Sequence, residues 1–236
     1  KRPSDRDRSS KSYLKYDKKI DEQMSAECYK RSASFGNSEA QANYGVCLLS
    51  GNGIPIDMLN GLSNIENSAK QGCIKGLYAY GICNMKGIGV NKIDFVTAEK
   101  YLRAAADASG TNVNNVNNSI ICKARYNLGL IMEKQNKQLE AAKCFKSAAY
   151  MALESKTNSW SPTSFACPEA LYAYGRYLKK GIGISTDLSA ACHFFKMSHF
   201  QGYKPGSFEY AKMVLEKEIY PNIGMSDEDS YKFEKN

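Results

Sequence analysis

The chain has 236 residues, of which 43% are hydrophobic and 24% are charged, a balance that is ordinary for a globular protein. No apolar run approaches the roughly 20 residues that cross a bilayer, so the composition excludes a membrane-spanning helix. The net charge of +8 is mild for this length, and the basic residues are mostly spread along the chain, which disfavours a dedicated nucleic-acid-binding face.

The N-terminal region predicts an atypical leading element. Residues 1–12 are polar and charged, which indicates a frayed end or the tail of a preceding helix. This abrupt charged opening also predicts a fragment of a longer chain, whose targeting signals would then lie elsewhere. Residues 26–33 match the second helix of the repeat described below, and 13–20 would be a degenerate first helix or a leading cap. We therefore assign 1–37 to a cap or degenerate repeat.

A repeated pattern follows this region. Each copy has a tyrosine and a glycine, a G-x-G pair six residues after that glycine, an aliphatic residue, an aspartate and a second apolar run. The first glycines, which we call anchor glycines, include Gly45 and Gly81, which are 36 positions apart (81 − 45). This period lies in the range of solenoid repeats. The well-formed copies occupy residues 38–73, 74–110 and 168–203.

The order of residues within each copy predicts two helices joined by a turn. A glycine in the middle of a helix costs about 1 kcal/mol relative to alanine, so the anchor glycine is expected where a helix packs closely on its partner. The G-x-G pair is typical of a helix end, because glycine adopts positive φ without steric cost. Asp57 and Asp187 suit the first turn of the second helix, where backbone N–H groups are free.

Between the regular copies lie two insertions and one divergent repeat. Residues 111–119 are rich in asparagine and predict a loop. Residues 120–154 keep the anchor as Gly129 but lack the G-x-G pair, which predicts a shorter turn and a longer first helix. Residues 155–167 form a second insertion with the single tryptophan, Trp160, either tucked against the array or available for contact.

The C-terminal region, 204–236, predicts a partial repeat or cap. Pro205 suits the start of a further first helix, because proline is well tolerated in a first helical turn. Pro221 is expected to end that helix. The acidic tail after Ser226 has the capping residues of a second helix.

The pattern A-x-x-x-[YL]-G-x-x-x-x-x-G-x-G-[IV], followed by A-x-x-[YF]-x-x-A, resembles the Sel1-like repeat family, a relative of the tetratricopeptide fold. The resemblance covers roughly residues 20 to 220. It implies an all-α fold, a right-handed α-solenoid of about five Sel1-like helix-turn-helix repeats. It also implies a non-catalytic scaffold or adaptor, since the family includes substrate adaptors in protein quality control and activators of cell-wall synthases.

The sequence offers little support for catalysis or cofactors. A phosphate-binding reading of G-x-G needs a preceding strand, whereas the pattern here follows a helix and recurs. His193 and His199 are six positions apart, on different faces of one helix, so no shared metal is expected. The eight cysteines form no C-x-x-C pair and predict free thiols in a reducing, cytoplasmic setting, although some Sel1-like proteins carry a disulfide within each repeat.

The expected binding surface is the inner wall of the solenoid, which the first helices line. Counting from the anchor glycines predicts a tyrosine-lined, lysine-edged groove for a protein or peptide, with acidic or C-terminal carboxylates as counter-ions. Alternatively, the tyrosines pack between repeats and the lysines only complement the helix dipole. A nucleic-acid-binding helical repeat is the second candidate function; neither a membrane nor a small-molecule substrate is expected. The predicted groove residues are Asn43, Tyr78, Ile82, Lys86, Tyr126, Asn127, Leu130, Lys134, Tyr172, Arg176, Lys179 and Lys180.

Overall fold

The computed structural model describes residues 5–108, 115–153 and 167–219, and within them every regular element is an α-helix. The chain divides into two compact units, Lys1–Ala105 and Ala106–Asn236. The helices are α1 (Asp5–Ser34), α2 (Ser38–Ser50), α3 (Met58–Lys70), α4 (Ile74–Lys86), α5 (Phe95–Ala106), α6 (Asn115–Lys134), α7 (Gln138–Leu153), α8 (Pro168–Lys180), α9 (Leu188–Phe200) and α10 (Lys204–Ile219). No helix in these ranges is long and apolar enough to cross a membrane.

Each anchor glycine lies against the second helix of its own hairpin. A Cβ atom added to Gly45 would lie 2.6 Å from Cγ1 of Ile65, and one added to Gly81 would lie 2.7 Å from Cγ of Leu102. These distances are far below normal carbon–carbon contact, so only glycine lets the two backbones approach this closely. The predicted reason for a glycine in the middle of these helices is therefore confirmed.

The ends of the helices also follow the predicted chemistry. Gly51, Gly87 and Gly181 cap the first helices in the left-handed conformation, with φ of 74°, 75° and 65°. The carboxylate of Asp57 accepts the backbone N–H of Asn60 at 3.0 Å, which satisfies one of the free donors at the start of α3.

The second glycine of each G-x-G pair contacts the preceding second helix. A Cβ on Gly89 would lie 3.3 Å from the carbonyl oxygen of Met58 at the start of α3. A Cβ on Gly183 would lie 2.8 Å from the carbonyl carbon of Gln138 at the start of α7. Consecutive hairpins within each unit therefore stack through these loops, and a side chain at either position would hold them apart.

Two buried serines set the register inside their hairpins. The hydroxyl of Ser68 donates to the carbonyl of Ser38 at 2.6 Å, and that of Ser198 donates to the carbonyl of Pro168 at 2.8 Å. Each bond joins the last turn of a second helix to the first turn of its partner. Both serines are fully buried, so the hydroxyl needs this acceptor inside the protein.

Three predictions about the less regular segments change. Residues 13–34 lie in one continuous helix, α1, so the first helix and turn of a degenerate hairpin are absent there. Helix α6 begins at Asn115, so residues 115–119 are helical rather than loop. The lengthening of this helix is thus at its N-terminal end, and it still ends five residues after Gly129, as the regular first helices do after their anchors. Trp160 and the tail after Ile219 lie outside the described residues.

Candidate functional site

The first helices of unit 2 present one common surface. Glu169, Tyr172, Arg176 and Lys179 follow one another at spacings of three, four and three residues, which places them along one side of α8. The same spacing on α6 gives a matching row. We call these two rows, with Tyr203 just before α10 and Glu209 on α10, the first-helix face. The α6 row consists of Lys123, Tyr126, Leu130 and Glu133.

Three tyrosines occupy the middle of the first-helix face. The ring of Tyr172 lies 5.6 Å from that of Tyr203 and 5.8 Å from that of Phe195 on α9. The ring of Tyr126 lies 5.8 Å from that of Phe145 on α7. All three tyrosines are half-buried. Each ring therefore supports the packing of its own region and also leaves part of its surface open to contact.

The hydroxyls of Tyr126 and Tyr203 remain protonated at neutral pH, because both have a raised pKa. Burial raises the pKa of Tyr126 to about 12, and the charges of Tyr203, Cys167 and Glu169 act in the same direction. The pKa of Tyr203 is also raised, first by burial and then by the charge of Glu169. A neutral phenol can donate one hydrogen bond and accept others, so this group offers donors to a partner's carbonyl oxygens.

Two basic side chains of this face, Arg176 and Lys179, form ion pairs within the chain. The guanidinium of Arg176 on α8 forms an ion pair with Glu133 on α6. The ammonium of Lys179 lies 3.0 Å from a carboxylate oxygen of Glu209 on α10. Arg176 and Lys179 therefore link successive first helices, and their charges are already balanced. Lys180 is exposed.

The remaining predicted residues of α6 have mixed roles. The side-chain amide of Asn127 is buried and donates to the backbone carbonyl of Lys123 at 2.7 Å, so it stabilises its own helix. Leu130 is half-buried on the first-helix face, and Lys134 is exposed at the helix end. Leu130 is thus the apolar contribution of α6 to this surface.

Unit 1 carries the equivalent positions with more apolar chemistry. Tyr78 and Ile82 on α4 and Asn43 on α2 are half-buried, and Lys86 is exposed at the end of α4. Val46, at the α2 position that matches Ile82, keeps 45% of its surface exposed. The predicted groove residues of this unit therefore offer mainly apolar contact beside one cation.

Sequence reasoning missed the acidic members of the first-helix face and Tyr203. Glu169 precedes Tyr172 by three residues, and Glu133 follows Tyr126 by seven, so helical spacing alone could have placed both on this side. Tyr203 lies just before α10 rather than on a first helix, and its sequence position carries no such periodic signal.

The thiols and histidines show no arrangement typical of catalysis. The eight cysteines are not joined in disulfides, and burial raises the pKa of Cys83 to about 11, which disfavours the thiolate. His199 contacts the hydroxyl of Ser207 at 2.9 Å. Within the described ranges, no cluster of three or more His, Cys, Asp or Glu side chains could hold a metal ion.

Comparison with known proteins agrees with the repeat architecture. A sequence model described as the Sel1 repeat matches residues 38–73, 74–109, 123–153 and 168–198. No protein in a search of curated proteins matches the chain.

Two solved structures are similar in fold. One is c5321, a protective antigen of uropathogenic Escherichia coli displaying an SLR fold, with 21% identity and a TM-score of 0.65 over 83% of this chain. The chain spans only 37% of the length of that protein. The other is a Sel1 repeat protein from Oxalobacter formigenes, with 19% identity and a TM-score of 0.66; the match covers 90% of this chain and 75% of that one. Both likenesses concern the fold.

Proposed function

Because the chain belongs to the Sel1 repeat family, whose members are generally non-catalytic protein–protein interaction scaffolds, we propose that it is an adaptor that binds a partner protein or peptide through the first-helix face of unit 2. The observation that carries this proposal is the placement of Tyr126 on α6, Tyr172 on α8 and Tyr203 just before α10 on one partly open surface. We also propose a reducing, cytoplasmic setting, which the free cysteines support.

Tyrosine suits such a surface for two physical reasons. Its ring offers a large contact area with only two rotatable bonds, so little conformational entropy is lost on binding. Its hydroxyl supplies hydrogen bonds at the edge of the contact. The packing of Tyr126 on Phe145 and of Tyr172 on Phe195 holds both rings in place before a partner arrives, which lowers the cost of association.

The ion pairs indicate the charge that a partner should carry. Arg176 and Lys179 are balanced by Glu133 and Glu209, so the centre of the face presents both signs of charge rather than a cationic rim. An acidic ligand would have to displace Glu133 or Glu209 in order to pair with Arg176 or Lys179. We therefore propose an extended or helical peptide of mixed charge, with apolar side chains for the tyrosine rings and backbone carbonyls for their hydroxyls.

Peptides selected from a random phage-displayed library on the intact chain provide the test. Tyr126→Phe and Tyr172→Phe keep the rings and their packing but remove the hydroxyls, and each should weaken the selected peptides about 2- to 10-fold, the value of one hydrogen bond. Tyr150→Phe, on the second helix α7, is the matched control and should leave affinity unchanged. Equal affinity for all four proteins would reject this face.

The nucleic-acid alternative has its own signature. Binding of RNA through Lys and Arg would weaken log-linearly with salt, because the protein releases counter-ions from the phosphate backbone. If the chain is a protein-binding adaptor, we expect no salt-dependent affinity for RNA, and we expect the selected peptides to bind at physiological salt.

A further inference from the structure

The C-terminal part of α1 has the register of a second helix, although no first helix precedes it in the described residues. The N–H of Asn37 donates to the carbonyl of Ser32 just as that of Cys73 donates to Ser68, at 3.4 and 3.2 Å. Gly53 of the first G-x-G pair packs against the backbone of Glu22 on α1, as Gly89 packs against the backbone of Met58 at the start of α3. Asp21 therefore occupies the position at which a second helix begins.

Each of the four other second helices in the described ranges has a small residue and a large residue that its own first helix covers. These residues lie four and eight positions after the capping residue that Asp21 matches, and all of them are buried. The pairs are Gly61 and Ile65, Ala98 and Leu102, Ala141 and Phe145, and Ala191 and Phe195. In α1 the equivalent pair is Ser25, which is exposed, and Tyr29, which is half-buried.

One face of α1 is uncovered at the place where a first helix packs in the other repeats. Asp21, Met24, Ser25, Cys28 and Tyr29 lie along this face, and Met24 is 63% exposed. We call these five residues the α1 seat. Helix α1 continues upstream to Asp5 instead of turning back, so no part of the described chain covers the seat as a first helix would.

The other repeats show which chemistry fits this seat. Where the large residue is aromatic, a Cβ on Gly129 would lie 2.6 Å from Cδ1 of Phe145, and one on Gly175 would lie 2.8 Å from Cε1 of Phe195. Tyr29 is aromatic as well, so a helix in the seat needs glycine opposite its ring. These glycine contacts are the established interface within each hairpin, and the α1 seat repeats that interface with one side missing.

We propose that the α1 seat binds an α-helix of a partner protein with glycine at its centre, which packs on α1 as a first helix packs on the second helix of its own repeat. A second copy of the chain is a poorer occupant. Helix α10 has the register of a first helix, since the backbone N–H of Ser207 donates to the carbonyl of Tyr203 as the N–H of Leu77 donates to that of Cys73. Its anchor position, however, is Ala211, whose Cβ would meet the ring of Tyr29.

The structure also places the neighbours of that central glycine. Leu49, four residues after Gly45, has its side chain 2.8 Å from the Cβ position of Gly61, the counterpart of Ser25. A partner's side chain four residues after the glycine therefore lies over Ser25, where space is open. This surface is separate from the first-helix face, and the inference holds whether or not that face binds a peptide.

A synthetic peptide with the sequence of residues 168–180, which contains Gly175, is the probe. Because a free helix of this length is marginal in water, the peptide carries a helix-stabilising staple on the side away from the glycine. In an NMR titration of the labelled chain, we expect shifts confined to residues 21–29. The same peptide with Gly175→Leu should bind at least tenfold more weakly, since leucine collides with Tyr29.

Variants of the chain separate this site from others. Ser25→Trp fills an exposed position, so it should abolish the shifts while leaving the helical circular dichroism intact. Arg31→Ala, on another side of α1, should change nothing. Tyr29→Ala should restore binding of the leucine peptide. Equal binding of both peptides, shifts outside residues 21–29, or dilution-dependent shifts at 21–29 without peptide would each overturn the proposal, the last in favour of a second copy.

The two proposed binding surfaces can be tested independently of each other. Ser25→Trp should leave unchanged the affinity for library peptides selected on the first-helix face. Tyr172→Phe should leave unchanged the affinity for the glycine helix. A loss of both affinities in either variant would contradict the separation of the two sites.

Discussion

Gly183→Ala tests the stacking of consecutive hairpins most sharply, because the chain contains a matched control in Gly202→Ala. Both glycines lie in unit 2 with nearly equal φ, 67° and 77°. Alanine in this left-handed region costs roughly 1–2 kcal/mol at either position. No atom lies within 4 Å of a Cβ added at Gly202, so Gly202→Ala should lower the free energy of unfolding only by the cost of backbone strain.

At Gly183 the new methyl group also collides with the preceding hairpin. It would lie 2.8 Å from both the carbonyl carbon of Gln138 and the amide nitrogen of Leu139, and these backbone atoms cannot rotate away. Overpacking of this kind costs about 1–3 kcal/mol, so the total loss for Gly183→Ala is about 2–5 kcal/mol. Urea denaturation followed by circular dichroism measures both variants. Equal losses would refute the claim that this loop carries the contact between hairpins.

Three further variants test the packing inside the hairpins and the capping of their helices. Gly129→Ala should destabilise the chain by up to about 2 kcal/mol, because the new methyl group collides with the ring of Phe145. In a Phe145→Ala background the ring is gone and only helix propensity remains, so the same substitution should stabilise the chain by up to about 1 kcal/mol. A change in the free energy of unfolding with the same sign in both backgrounds would contradict this. Ser198→Ala should lower the free energy of unfolding by about 1 kcal/mol, and an unchanged urea midpoint would show that its hydrogen bond contributes nothing. Hydrogen bonds from the Thr97 hydroxyl and N–H hold the pKa of Asp94 below its ordinary 3.8, so the stability that this carboxylate adds is present above about pH 4 and is lost as the pH falls through the lower folded-state value. Asp94→Asn should remove that part of the pH dependence, and an unaltered acid-denaturation profile would show that this cap is not its source.

The hairpins could be predicted because their determinants are local. Positive φ after a first helix and a carboxylate at the start of a second helix depend on a few neighbouring residues, as Gly51 and Asp57 show. The anchor glycine could be predicted too, because glycine in the middle of a helix implies a close neighbour. Which neighbour that is depends on the hairpin closing, and here it is the residue eight positions into the second helix.

The features that could not be predicted depend on contacts between hairpins. The second glycine of the G-x-G pair reads locally as one more turn residue, but at Gly183 its second role is contact with the preceding helix. The pairing of Arg176 with Glu133 joins residues 43 positions apart, and no periodicity within one repeat points to it.

The start of α6 shows how packing overrides composition. Asparagine is a weak helix former, so a run of asparagines predicts a loop. In α6 this run ends three residues before Ile121, which is buried together with Cys122, and the helix extends upstream from that packed turn to Asn115. Extending an existing helix needs much less free energy than starting one, which is why weak helix formers are tolerated here.

The central claim is that partners meet the chain on its first helices, and photo-crosslinking in the source cell tests it most directly. A photoreactive benzoylphenylalanine replaces either Tyr172 on the first-helix face or Tyr150 on the second helix α7, where 40% of the tyrosine is exposed. We expect a discrete crosslinked partner from position 172 and none from position 150. Crosslinks from position 150 alone would contradict the claim and place recognition on the second helices.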